Sequence, residues 1–213
     1  MDPITDESYL SEYWSPLRQT IDTMLNHPPG SYQPVSYEQM YSAVYKCVCK
    51  SYSERLFQDL MGHIGQTLSQ WAAEILSCSD ATLPGRFHTA MTQYFHAVQS
   101  INPIFTYLNR FYIESKLSTT LAHELNCLFV NIVCEETIDR LLGILDRAQH
   151  IPFSIPPSVM QSTLKQLHAL HPSYVNKNPD LFSKYLAGIQ PAMNEADLEA
   201  QIKADRLLQV GSS

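Results

Sequence analysis

Ser36-Tyr37-Glu38-Gln39-Met40-Tyr41-Ser42-Ala43-Val44-Tyr45-Lys46-Cys47-Val48-Cys49-Lys50 decides the fold. Its apolar residues recur at the spacing of an amphipathic helix. Met40, Val44 and Val48 form one row, and Tyr37, Tyr41 and Tyr45 form a second beside it. Gln39, Ser42, Lys46 and Lys50 fall on the opposite, solvated side. Ser36 is placed to cap the helix, with Gln39 as its capping-box partner. Tyrosines spaced by four present apolar rings with polar tips, which suits the edge of a core or a protein interface. A second stretch, Ile104-Phe105-Thr106-Tyr107-Leu108-Asn109-Arg110-Phe111-Tyr112-Ile113, is apolar over roughly 160° of the helical wheel. An arc that wide needs a neighbour on both sides, or burial on one side and docking on the other.

Working outward, the same helical period fills most of the 213 residues, and no segment alternates as a strand does. A first helix is expected over about 6–26, stopped by Pro28, Pro29, Gly30 and Pro34. After the tyrosine helix, a third is expected from Ser53, capped by its hydroxyl, to Ser77, and a fourth from Pro84 to Ile101. Asn102-Pro103 is expected to break that helix and start a fifth. A long sixth helix is expected over about 119–149. Ile151-Pro152-Phe153-Ser154-Ile155-Pro156-Pro157 reads as a linker. Shorter helices follow near 157–170, 179–189 and 195–208, with a frayed tail from Val210. Seven glycines are few for a chain of this length, which disfavours many-turned sheets and glycine-rich phosphate loops. The fold class is therefore all-α.

Composition narrows the partners. The formal charge is −7 with 14 Lys and Arg and no basic cluster, so neither nucleic acid nor an anionic membrane is expected. The acidic start Met1-Asp2-Pro3-Ile4-Thr5-Asp6-Glu7 does not resemble a signal peptide, and no run of about 18 apolar residues could span a bilayer. Five cysteines without framework spacing fit a reducing compartment, cytoplasmic or nuclear.

Catalytic and metal chemistry is not expected. Cys47 and Cys49 project to nearly opposite sides of one helix and cannot share a zinc ion. Cys127 and Cys134 stand a heptad apart, too far for joint ligation. His150, His168 and His171 lack a companion ligand motif, and Glu135, Glu136, Asp139 and Arg140 read as a solvated, locally paired face. No nucleophile elbow, zinc-protease helix, Walker loop or kinase set occurs. The expectation is no enzyme activity and no cofactor. Two short features concern kinases. Ser15-Pro16-Leu17-Arg18 matches a proline-directed phosphorylation pattern, which makes Ser15 a candidate phosphosite. Arg140-Leu141-Leu142 and Arg206-Leu207-Leu208 match a cyclin-docking pattern. Such docking needs an extended peptide, and both copies fall in expected helices.

Three stretches carry a resemblance. The residues from Tyr37 to Tyr45, then Glu54-Arg55-Leu56-Phe57, then Ile104 to Ile113 resemble successive helix motifs of the first cullin repeat, in order and at similar separations. Tyr45-Lys46-Cys47-Val48-Cys49, the run from Phe111 to Leu117, and Leu181-Phe182-Ser183-Lys184-Tyr185 extend the resemblance over roughly residues 14–191, towards a kinase-associated branch of that family. The resemblance implies a helical solenoid over 6–191, with a five-helix first repeat over about 6–116, a partial divergent second over 117–191, and a terminal helix and tail over 192–213. It implies a non-catalytic interaction module that binds cyclin-dependent kinase 2 and promotes its activity at the entry to DNA replication. The alternative is a scaffold fragment holding a BTB- or Skp1-like adaptor in ubiquitin ligation. In cullins the second and fifth helices hold the adaptor, and their positions match Tyr37, Glu38, Tyr41, Tyr45 and Tyr112 here. The sequence ends before the RING-binding portion of a cullin, so a self-standing ligase is not expected. Tyr37 falls beside Val48 on the wheel, so it is expected to be partly core, with Tyr45 and Tyr112 the contacts.

Overall fold

The computed structural model describes residues 5–27, 36–151 and 154–186, and every regular element among them is helical. The chain divides into two compact units, Met1–Ile144 and Leu145–Ser213. The expected helix at 195–208, the second Arg-x-Leu copy and the tail lie outside the described residues, as does the end of the expected 179–189 helix. So do the expected stop at residues 28–34 and residues 152–153 of the linker.

In the first unit, α1 is a continuous helical run over residues 6–26, built from Asp6–Ser8, a π-helical stretch Tyr9–Trp14, and Ser15–Asn26. Thr5 and Ser8 close a capping box at its start. Pro16 explains the π turns, because a proline ring collides with the carbonyl four residues back and a wider turn relieves the collision. The apolar row Leu17, Ile21, Met24 and Leu25 is buried. It packs on the later helix Leu83–Ile104, where Gln93 donates to the Leu25 carbonyl.

Helix α2, Tyr37–Cys49, begins as its sequence requires, with the Ser36 hydroxyl accepting from the Gln39 amide at 3.4 Å. Met40, Val44 and Cys47 are buried. Ser51, in the left-handed region at φ 65°, turns the chain into α3, Ser53–Ser77. Ser53 does not cap it; the cap position is Tyr52, and Ser53 is already helical. Leu56, Leu60, Ile64, Leu68, Trp71 and Ile75 form the buried stripe of α3.

Helix α4, Leu83–Ile104, runs past the expected break and contains Pro103. The proline falls in the last turn, where the carbonyl it deprives of a donor belongs to exposed Gln99, so water can satisfy it. Helix α5 follows Phe105 as Thr106–Leu108 and then a nine-residue π-helical stretch, Asn109–Leu117, ended by Ser118 at φ 56°. It packs against α2, as the wide apolar arc requires.

The expected helix over 119–149 is two helices. Helix α6 runs through Leu121–Phe129 into the π-helical Val130–Cys134. The chain then turns at residues 135–137, and α7 spans Ile138–Ala148, with the division into units falling between Ile144 and Leu145. The break comes from a change of hydrogen bonding, since the Glu135 amide reaches back five residues to Val130 at 3.0 Å. Arg140 does not pair locally. It donates to Asp80 at 2.8 Å and to the carbonyls of Leu76 and Cys78, closing the end of α3. Leu141 and Leu142 are buried in the helix, so this Arg-x-Leu copy is not an extended docking peptide. An aromatic cluster of Phe87, Tyr94, Phe95 and Phe129 joins α4 to α6, and the Tyr94 hydroxyl donates to the Leu125 carbonyl at 2.7 Å.

In the second unit α8, Pro157–Leu170, buries Met160, Leu164 and Leu167. A 3₁₀ turn, Pro172–Lys177, leads to α9, Pro179–Tyr185, capped by the Asn178 side chain accepting from the Leu181 amide at 3.1 Å. Tyr174, Val175, Leu181 and Phe182 are buried.

Candidate functional site

Helix α2 has two sides with different fates. Met40 and Val44 of its aliphatic row enter the core and Val48 is half-buried, whereas Tyr37, Tyr41 and Tyr45 are 44 %, 39 % and 43 % exposed. Tyr107 of α5 sets its ring between the last two, edge-on, at 5.4 Å from Tyr41 and 4.8 Å from Tyr45. One turn further, Phe111 stacks on Tyr107 at 5.3 Å and is 53 % exposed. The guanidinium of Arg110 stands 5.6 Å from the Phe111 ring. The result is an aromatic strip across two packed helices, with its rings fixed by one another before any partner arrives.

The polar tips are engaged as well. Partial burial and the neighbouring Tyr107 hold the Tyr41 hydroxyl above the usual tyrosine range. A side-chain hydrogen bond with Cys49, and then Tyr107, do the same for Tyr45. Both hydroxyls are therefore uncharged at neutral pH, which suits a surface that must be stripped of water on docking. Beside the strip opens a groove of about 440 Å³, with Val48, Cys49, Phe111 and Tyr112 among its lining and Glu54 and Lys116 the charged groups in it.

The expected site residues separate here. Tyr41 and Tyr45 lie in the strip, and Tyr37 continues their row on the same exposed side. The expectation of a partly core Tyr37 is corrected by its exposure: α2 turns this end of the row to solvent. Tyr112 is 8 % exposed, so it is not the contact that was expected. Its ring lies 6.0 Å from that of Phe57, with the Lys116 ammonium 5.6 Å over it, and only its edge reaches the groove. Glu38 is exposed but lines a different groove, of about 590 Å³, with Glu12, Gln39 and Lys46. Ser15 is exposed within the helical run of α1. Tyr107 and Phe111 were missed as site residues. The signal for them was the wide apolar arc, which called for a second occupied side.

Cys47 is buried and Cys49 exposed, on different sides of α2 as their spacing requires. Among the described residues no group of three or more His, Cys, Asp or Glu could hold a metal ion. No single described helix is long and apolar enough to cross a membrane.

Comparison with known proteins agrees with this geometry. A family model described as the cullin alpha solenoid domain matches residues 14–193. CDK2-associated and cullin domain-containing protein 1 of Rattus norvegicus is 36 % identical over 209 residues, covering 98 % of this chain and 52 % of that protein. The chain thus spans about half the length of the curated relative it matches. The three helix motifs, the all-α architecture and the adjacency of α2 and α5 now have one explanation: this chain belongs to the cullin alpha solenoid domain family.

Proposed function

We propose that this chain is a non-catalytic protein-interaction module that associates with cyclin-dependent kinase 2, promotes its activity and so favours entry into DNA replication. The observation that carries the interaction reading is the preassembled aromatic strip of Tyr41, Tyr45, Tyr107 and Phe111. Exposed rings already held by their neighbours lose little side-chain freedom on docking, and aromatic residues dominate binding hot spots. The choice of kinase rests on the name of the rat relative. The test is titration of the purified chain against cyclin-dependent kinase 2, with and without its cyclin, with binding and histone phosphorylation both measured. Absence of both binding and stimulation removes the kinase reading.

A second reading keeps the same face and changes the partner. The exposure of Tyr37, Tyr41 and Tyr45, three of the five positions matching the cullin adaptor surface, supports docking of a BTB- or Skp1-like adaptor and a role in regulating ubiquitin ligation. Parallel titrations with one adaptor of each type separate the two readings. The repeat boundary near residues 116–117 belongs to the same proposal, and limited proteolysis locates it. So does an intracellular setting, cytoplasmic or nuclear, where five cysteines outside any disulfide would stay reduced; imaging of the tagged chain checks that placement.

A further inference from the structure

We draw no further inference here: the strongest candidate, the groove between α2 and α5 lined by Val48, Cys49, Tyr107, Phe111 and Tyr112, belongs to the docking face already described, and nothing in the structure shows what covers it.

Discussion

Two aromatic clusters in the first unit are built from the same side chains and put to different uses. Inside, Tyr94 stacks on Phe129 at 4.8 Å; outside, Tyr45 meets Tyr107 edge-on at the same distance. Ring pairing therefore does not distinguish them, and water does. The inner cluster is closed off between α4 and α6, with the Tyr94 hydroxyl donated to the Leu125 carbonyl. The outer strip leaves Tyr41, Tyr45 and Phe111 exposed to solvent. Burial converts the inner rings into stability, whereas the outer rings hold apolar area that is released only when something covers it.

The largest expected effect breaks the inner cluster. Phe129→Ala removes a fully buried ring and should cost about 3–5 kcal/mol by denaturant unfolding. Phe111→Ala, in the strip, should leave the midpoint nearly in place. Similar losses from both would mean that the strip is core after all.

Alkaline titration sharpens the same contrast. Burial holds the Tyr94 hydroxyl well above the usual tyrosine range, and burial together with the Asp59 carboxylate does so for Tyr9. Burial pushes Cys47 up to about 12. An acid kept neutral in the fold ionises first in the unfolded chain. Its contribution is complete below the unfolded values of 9.0 for cysteine and 10.0 for tyrosine, and is lost as pH climbs from there towards the folded values. Melting temperature should thus hold level to about pH 9 and fall above it. Tyrosinate absorbance should report Tyr41 and Tyr45 while the chain is folded, and Tyr94 only as it unfolds. Tyr94 titrating without loss of helical circular dichroism would refute the closed inner cluster.

How much of this was legible in sequence depends on whether the deciding interaction is local. Ser36 capping α2 and prolines opening the helix Pro157–Leu170 are local signals, and both elements begin where the sequence places them. The break between α6 and α7 carries no glycine or proline. Cys134, Ile138 and Leu141 keep helical spacing across it, so periodicity reads through a turn made by a shifted backbone bond and a buried Thr137. The strip was half legible. The tyrosine row on α2 follows from its period alone. On α5 the wheel assumes 3.6 residues per turn, and the π-helical Asn109–Leu117 winds more slowly, which brings Tyr112 inward and leaves Phe111 outside. Tyr107, ahead of that stretch, needed only its packing partner to be recognised.

Tyr45→Ala tests the outer strip as a binding surface. It removes a ring that touches Tyr107 and leaves Val44, fully buried, as the neighbouring control. Affinity for the bound kinase or adaptor should fall about tenfold, with only a small change in melting temperature. Val44→Ala should do the reverse, lowering the melting temperature while the folded fraction keeps its affinity. Equal thermal losses with every partner retained by Tyr45→Ala would rule out the docking surface.

Tyr45→Phe gives the smallest expected effect and asks which part of the ring is used. It keeps the edge-on contact with Tyr107 and deletes only the hydroxyl, with its hydrogen bond to Cys49. That hydroxyl is at the surface, so water replaces its partner and the fold should lose almost nothing. If partners recognise ring area, affinity should change by less than about twofold, because the apolar surface offered is the same. If they recognise the hydroxyl, the group it met would be buried unpaired, and the loss should approach that of Tyr45→Ala. Calorimetric titration of the unsubstituted chain, Tyr45→Phe and Tyr45→Ala against one partner resolves the two cases. Binding by Tyr45→Phe as weak as that by Tyr45→Ala would show that the strip is read by its polar tips and not by its rings.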